Sequence, residues 1–538
     1  MAIGTFADLL LARADDGHAG LRFEDESYTW AEVVTAARRR AGLISPGTHV
    51  GVLLENVPEY VFWIGAAALA GATVVGVNPT RRGQELATDI RHTDCDLIVT
   101  DTAHAPLLEG LDIGTDRLLL IDTAQYQAAL PAPAEPVPVK PQDRLLLLFT
   151  SGSTGAPKAV ACGQGRLAAI AVMSERMSIT RDSVTYVAMP LFHGNAVMAN
   201  LAMAVHAGAT VALRRKFSAS GFLPDVRRFG VTYFNYVGRA LAYILATPED
   251  PADADNPLQA CFGTEASAQD MTRFSARFGC RIIEGYGSSE GAISLQKTPE
   301  TPPDALGLPQ QGIEVAILDP ETGAECPRAR FDDHNGLLNP EAIGEIVGLN
   351  VASAFEGYYK NPEADGERVR DGKYWSGDLG YRDEKGFFYF AGRGADRLRV
   401  DSENFAAAPV ERILSRWPAV VMCAVYPVPD PRTGDQVMAA LELHAPFDPG
   451  AFAAFLAAQP DLGTKWAPRF VRVVPAMPLT ATGKVDKRPL RRDRWEADDP
   501  IWHRPGRALT YEPLNPDRAA ALRAEFASHG RTHILTTL

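Results

Sequence analysis

The chain is short of cysteine. Six residues, at positions 95, 162, 261, 280, 326 and 423, are spread over 538, and no two stand at a Cys-x-x-Cys spacing. That pattern disfavours a zinc site built on paired thiolates and a disulfide scaffold, and a reducing compartment is the simpler setting. Positive charge is also in deficit: 53 Lys and Arg stand against 66 Asp and Glu, a formal net charge of −13. General nucleic-acid binding needs a basic face and is not expected. A local anion site is not excluded, because nearby charges set the field there. No fixed-period repeat appears, which argues against solenoids and propellers. The N-terminus, MAIGTFADLLLARADDGHAG, lacks the basic start and clean apolar run of a signal peptide. A cytoplasmic location is expected, with peripheral membrane contact at most. Long hydrophobic runs are scarce too. Val61–Val77 is uncharged for 17 residues, the lower limit of a membrane span, but Gly65, Gly71 and Gly76 interrupt it and it ends in β-branched residues. A buried helix, a glycine turn and a buried strand are expected there.

What is present is an alternation of apolar strands and Ala-rich helical patterns. Candidate strands are His49–Leu54, Leu97–Thr100, Leu118–Ile121, Leu145–Phe149, Thr210–Leu213 and Cys280–Ile283, with helices at Pro58–Ala70 and Asp270–Phe278 among them. Continuous apolar strands separated by helices predict an α/β fold with largely parallel sheets. Ala132–Pro141, rich in proline, reads as an extended connector. From about Ile343 the texture becomes β-rich and glycine-rich. After about Gly394 a smaller α+β pattern follows, with helices at Ala406–Arg416 and Pro449–Ala458 and strands at Val420–Val425 and Val437–Leu443. The expected division is therefore a large domain over 1–394 and a small one over 395–538.

The strongest local signal is Thr150–Lys158, TSGSTGAPK, directly after an apolar strand. Glycines allow a turn whose N–H groups point inward and form an anion cradle. The hydroxyls of Thr150, Ser151, Ser153 and Thr154 add donors, Gly152 and Gly155 supply the turn, and Lys158 adds a positive charge. The spacing is not that of a Walker A loop. Tyr286–Gly291, YGSSEG, packs an aromatic ring for a base, the glycine turn at Gly287, a hydroxyl at Ser289 for phosphate, and the Glu290 carboxylate, an oxygen ligand of the kind Mg²⁺ prefers. The alternative for this segment is a plain turn with a surface Glu.

TSGSTGAPK resembles the signature loop of the adenylate-forming (ANL) enzymes: acyl-CoA synthetases, luciferases and peptide-synthetase adenylation domains. Further motifs follow in that family's order over most of the chain. His49–Gly83 and the C-terminal half are more narrowly similar to the actinobacterial FadD-type acyl-CoA ligases, related to the fatty-acid transport proteins and very-long-chain acyl-CoA synthetases. The resemblance implies a large N-terminal domain of αβ-layered subdomains plus a β-rich subdomain, and a small mobile α+β C-terminal domain. It implies an ATP-dependent ligase that forms an acyl-AMP with release of pyrophosphate and then passes the acyl group to CoA, with Mg²⁺ as cofactor. The acid is a medium or long fatty acid or a steroid side-chain acid, and a homodimer is compatible.

By the same resemblance, Gly263, Thr264 and Glu265 lie along the adenine, although a helix N-cap at Thr264 reads as well. Asp378 in WSGDL takes the ribose hydroxyls and Arg393 is a second ribose or phosphate contact. Lys484, in PLTATGKVDK, reaches the carboxylate and α-phosphate during adenylation. His193 and Asn195, in MPLFHGNAVMAN, line the carboxylate or acyl pocket, and Tyr236 and Gly238, in YFNYVG, bound the acyl tunnel, an assignment no stronger than that of an ordinary aromatic core strand. Ala395, Arg399, Ser402 and Glu403 belong to the hinge and the loop that approaches the thiol acceptor. Two residues depart from the pattern: Ser402 stands where relatives usually have Gly, and Ala395 where many have an acidic residue. A slow thioester step is one consequence. Two alternatives stay open: an acyl-AMP ligase that loads a carrier protein, and a membrane-associated fatty-acid uptake or binding protein.

Overall fold

The computed structural model describes residues 4–150, 158–237, 240–264, 266, 268–331, 337–393, 397–400, 403–431, 435–459, 462–463, 465–480, 483–506, 508–529 and 531–535. By packing, the chain forms two compact units. The first comprises Met1–Thr264, Thr272–Ala292 and Ser353–Glu367, and the second Glu265–Met271, Ile293–Ala352 and Arg368–Leu538. These units are discontinuous in sequence, and a division by packing does not test the boundary expected at 394.

The first unit is α/β, as the apolar strands require. One sheet runs in the order Leu118–Leu120, Leu97–Thr100, His49–Leu53, Thr73–Gly76, Arg144–Thr150, Lys158–Gly163. Its pairings are parallel except the last, in which Thr150 faces Lys158 across an antiparallel edge. The glycine-rich segment 151–157 joins these two strands. The other sheet carries Arg281–Tyr286, Ala260–Thr264, Tyr233–Val237, Val184–Val187, Thr210–Leu213 and Ala19–Phe23 side by side, all parallel, with Glu26–Thr29 antiparallel at the edge. Strands buried on both faces carry no polar alternation, which is why they read as plain apolar runs.

Val61–Val77 resolves as expected into part of helix Pro58–Ala70, a left-handed turn at Gly71 (φ 63°) and the buried strand Thr73–Gly76. Every residue of that helix except Glu59 is buried. Among the described residues no helix is long and apolar enough to cross a membrane. Glu59 is not wasted: the guanidinium of Arg40, itself buried, donates to its carboxylate, with Nε to Oε2 at 2.6 Å. The Tyr126 hydroxyl donates to the same carboxylate at 2.9 Å and accepts from Trp63 Nε1 at 3.1 Å. The pair therefore has the extra hydrogen bonds that a buried ion pair requires.

In the second unit, an antiparallel sheet in the order Val315–Leu318, Gly344–Gly348, Lys373–Arg382, Val369–Arg370, with Phe388–Arg393 also on the long strand, gives the β-rich texture. The C-terminal portion is a mixed sheet, Val420–Pro429, Asp435–Leu443, Phe470–Val474, Ile501–His503, Glu512–Pro513. Helices Ala407–Leu414 and Pro449–Ala457 close its core around Trp417, Phe452 and Val471. All six cysteines are free thiols.

Removing one partner of a buried ion pair leaves an uncompensated charge. Glu59→Ala is expected to cost about 3–5 kcal/mol, read as a fall in the denaturation midpoint. A loss below about 1 kcal/mol, the value of an exposed pair, would show that Arg40 is solvated instead.

Candidate active site

In parallel α/β sheets, ligands gather at the carboxyl ends of the strands. Four adjacent strands of the second-described sheet end there in the motifs singled out above. Val184–Val187 leads into PLFHG, Tyr233–Val237 ends beside Gly238, Ala260–Thr264 ends in Gly-Thr, and Arg281–Tyr286 opens YGSSEG. Ser151, Gly152, Ser153, Thr154, Gly155, Gly238, Glu265, Ala395 and Ser402 lie outside the described residues, and Thr150, Arg393, Arg399 and Glu403 enter through their backbone only.

Lys158 is buried at the head of the edge strand Lys158–Gly163. Segment 357–359 adds to that strand: the Ala161 N–H donates to Gly357 O at 3.0 Å, the Tyr359 N–H donates to Ala159 O at 2.8 Å, and Tyr358 faces Val160. Three charged or polar side chains are thereby placed together. The Lys158 ammonium donates to Glu367 Oε2 at 2.9 Å and stands 5.8 Å from the centre of the Tyr358 ring. The Tyr358 hydroxyl donates to Glu290 Oε1 at 2.7 Å, and both residues are buried. So the cation after the glycine loop and the carboxylate of YGSSEG, 132 positions apart by number (290 − 158), share one neighbour. The sequence reading missed Tyr358 and Glu367. Their only signal was the tyrosine pair in EGYYKNP, which has no chemistry of its own.

The YGSSEG turn is held from the other side by Arg166. Its guanidinium donates to Ala161 O at 3.0 Å and also to Ser289 O. Gly291 turns with φ 68°, and a Cβ there would stand 2.3 Å from Arg166 Nη2. Gly194 of PLFHG approaches the same turn, its Cβ position lying 3.4 Å from Ser289 Oγ. Tyr286 is half-buried and Gly287 exposed. Glu290 keeps Oε2 without a hydrogen bond among the described residues, while Oε1 is oriented by Tyr358. A buried carboxylate with one oxygen held and one available fits the hard, oxygen-seeking Mg²⁺. Among the described residues no cluster of three or more His, Cys, Asp or Glu forms a metal cage. A cation here would take its remaining ligands from water and phosphate.

Gly263 has a reason that the motif alone did not reveal. The Tyr236 ring lies across its strand, and a Cβ on Gly263 would stand 2.4 Å from Tyr236 Cε2. The hydroxyl thereby reaches Glu284 Oε1 on the next strand at 3.4 Å. Burial, then the neighbouring Glu284 carboxylate, pushes the Tyr236 phenol far above its usual range, so it stays a neutral donor. Thr264 follows, half-buried, at the strand's end. His193 is half-buried, its backbone N–H donating to Pro190 O at 3.1 Å and its ring centre 4.5 Å from that of Phe192. Asn195 accepts from Asn235 Nδ2 at 2.6 Å through its side-chain oxygen.

The second unit carries Asp378 and Lys484. Asp378 is half-buried on the strand Lys373–Arg382, directly opposite Arg393 in the antiparallel register. The buried carboxylate of Glu345 accepts the neighbouring Gly377 N–H at 2.6 Å, where the pairing with Gly344–Gly348 is irregular. Burial raises the Glu345 carboxyl above its usual range, against that hydrogen bond and nearby arginines. Gly377 has φ 75°, and a Cβ would stand 2.4 Å from Arg368 Nη1. Lys484 closes a tight turn: Thr480 N–H donates to Lys484 O at 2.7 Å, and Lys484 N–H donates to Thr480 Oγ1 at 3.2 Å. Gly483 takes φ 79° there.

The sequence profile of the AMP-binding enzymes matches residues 12–359, and that of the AMP-binding enzyme C-terminal domain matches 409–484. This chain belongs to the AMP-binding enzyme family. It has the fold of the adenylate-forming superfamily, with a large N-terminal domain and a small C-terminal one. It is 54% identical to the steroid-22-oyl-CoA synthetase of Rhodococcus jostii, over 99% of each chain. To the medium/long-chain-fatty-acid–CoA ligase FadD17 of Mycobacterium marinum it is 45% identical, over 93% of this chain and 98% of that one. Among solved structures, the anthranilate CoA ligase AuaEII in complex with anthranoyl-AMP superposes with a TM-score of 0.80, at 22% identity, over 91% of this chain and 97% of that chain. Such a low identity speaks for the fold alone.

In this AMP-binding enzyme the Tyr358 hydroxyl is the group that orients Glu290. If Glu290 holds the Mg²⁺ of MgATP, Tyr358→Phe is expected to raise KM for MgATP by about tenfold, the loss of one charge-assisted hydrogen bond. KM for the acid should stay put. Steady-state kinetics with each substrate varied in turn checks this, and an unchanged KM for MgATP would show that Glu290 needs no such support.

Proposed function

We propose that the chain is an ATP-dependent acid–CoA ligase that activates medium- or long-chain fatty acids or steroid side-chain acids. Identity of 54% along 99% of both chains to a steroid-22-oyl-CoA synthetase is the observation that carries this reading. The 45% identity to FadD17 supports the fatty-acid side of it.

A carboxylate is a poor electrophile because its leaving group would be oxide. Attack of its oxygen on the α-phosphorus of ATP gives a mixed anhydride, acyl-AMP, and expels pyrophosphate. A thiol then attacks the acyl carbon; the C–S bond forms, AMP leaves and the thiol proton is released. Phosphoryl-type transfer asks the protein for position and charge neutralisation above all. In this reading Lys158 and the 150–155 loop hold the phosphates, Tyr286 and Gly263–Glu265 face the base, and Asp378 and Arg393 take the ribose. Glu290 would hold Mg²⁺, which when bound offsets phosphate charge. Lys484 delivers its ammonium to the carboxylate and α-phosphate, where charge develops. His193, Asn195, Tyr236 and Gly238 line the acid.

The two half-reactions need different surroundings for one acyl-AMP. A small domain from 395 onward that swings about a hinge near Ala395 meets that need, with Arg399, Ser402 and Glu403 approaching the thiol in the second step. Ser402 adds a Cβ where relatives usually have glycine, so the thioester step is expected to be the slower one. The same reading includes a cytoplasmic location, at most peripheral membrane contact and, compatibly, a homodimer.

A panel of carboxylic acids with ATP, Mg²⁺ and CoA tests the reading, with pyrophosphate and thioester followed separately. Both products are expected from dodecanoate-length acids or from a steroid C22 acid. Absence of pyrophosphate with every acid would overturn the ligase reading, and pyrophosphate without acyl-CoA would transfer it to an acyl-AMP ligase serving a carrier protein. Lys484→Ala is expected to slow acyl-AMP formation by roughly 100-fold or more, the scale of losing one transition-state donor. Thioester formation from supplied acyl-AMP should persist; equal loss of both steps would contradict the assignment.

A further inference from the structure

Three asparagines form a buried chain that no motif announced. Asn200 and Asn235 are completely buried, and Asn195 is half-buried. Asn200 Nδ2 donates to Tyr186 O at 3.0 Å and to Asn235 Oδ1 at 2.7 Å. Asn235 Nδ2 donates to Asn195 Oδ1 at 2.6 Å. An amide side chain has one accepting and one donating end. The Tyr186 carbonyl can only accept, so Asn200 must present its NH₂ to it. That choice obliges Asn235 to offer its oxygen to Asn200 and its NH₂ to Asn195. Asn195 then turns its oxygen inward and its NH₂ away from the chain. One backbone carbonyl thus sets the polarity of all three amides.

The local backbone is shaped for this arrangement. Residues Val197–Leu201 form a π-helical turn between Gly194–Ala196 and the helix Ala202–Ala207. A π turn widens the helix by one residue and redirects the side chains after it. The Tyr233 hydroxyl donates to Ala199 O of this turn at 3.0 Å, two residues before Asn235 on the same strand and face. The chain has an energetic cost, since Asn200 Oδ1 is buried with no hydrogen-bond partner. An apolar trio would fill the same space without that penalty. Asn195 Nδ2, at the outer end, makes no hydrogen bond among the described residues.

We propose that Asn235 and Asn200 are positioning residues for the acid substrate, acting through Asn195 by locking its amide with the NH₂ end outward. The inference rests on the reading that the acid lies against Asn195. A carboxylate, or the carbonyl of its adenylate, can only accept, so a locked donor matches it. A flipped Asn195 would meet it with oxygen lone pairs instead.

The test uses Asn200→Leu/Asn235→Leu, which removes donor and acceptor of the central bond together and so costs less than leaving one of them buried and unpaired. Kinetics with dodecanoate, or with the acid best used in the panel above, are expected to show KM for the acid raised about tenfold. KM for ATP is expected to remain within about twofold of wild type. Asn195→Ala should raise KM for the acid by a similar factor, and the triple variant should be no worse than Asn195→Ala alone. Should the double variant melt below the assay temperature, Asn235→Ser, too short to reach Asn195, carries the same expectation. If Asn195→Ala raises KM for the acid and the Leu variants do not, the inference fails while the reading of Asn195 stands. If Asn195→Ala itself has no effect, both fail. A parallel rise in KM for acid and ATP would mark a merely structural role and overturn the inference.

Discussion

Burying an ammonium group is costly unless its charge is matched, and Lys158 is buried. Much of the first unit's site follows from how that charge is met. Glu367 answers it directly at 2.9 Å, and the Tyr358 ring lies beside it. Both partners arrive because segment 357–359 pairs with the edge strand that Lys158 opens. The same pairing delivers the Tyr358 hydroxyl to Glu290. A counter-ion on a side chain half exposed to water is one that an incoming phosphate can replace. In the proposed mechanism Lys158 is therefore held in place, with its charge balanced, before the nucleotide arrives.

The second unit uses the opposite sign of the same physics. Glu345 is a buried carboxylate whose carboxyl group is pushed upward by desolvation, and it receives a backbone N–H from Gly377. That bond holds the strand next to Asp378, which stands opposite Arg393. Residues that touch no nucleotide in the proposed mechanism thus decide where those that do are placed. Arg166, Tyr358, Glu345 and the Asn200–Asn235 pair all belong to this supporting set. Each fixes its partners by hydrogen bonds within its own unit, and in the proposed mechanism fixed geometry carries much of the chemistry.

The sequence by itself was enough for the architecture and the motifs. Uninterrupted apolar strands alternating with helices can be buried only in parallel sheets with covered faces, so the α/β class followed from hydrophobicity alone. Gly71 and the β-branched residues after it were enough to break Val61–Val77 into helix, turn and strand, because those preferences are local. TSGSTGAPK, YGSSEG and WSGDL were legible for the same reason: each packs its chemistry into adjacent residues.

Only the tertiary structure decided the partners. Glu367 lies 209 positions from Lys158, Tyr358 68 from Glu290, and Asn235 40 from Asn195. Nothing in the local chemistry of EGYYKNP or of a lone asparagine on a strand marks such pairings. Gly263 likewise read only as part of a segment along the adenine, whereas packing demands a glycine there, because the Tyr236 ring occupies the space of a Cβ. Local propensity and periodicity act through neighbours in the chain and survive translation into sequence. Desolvation, ion pairing and hydrogen-bond polarity act through neighbours in space, and those exist only once the sheets have formed.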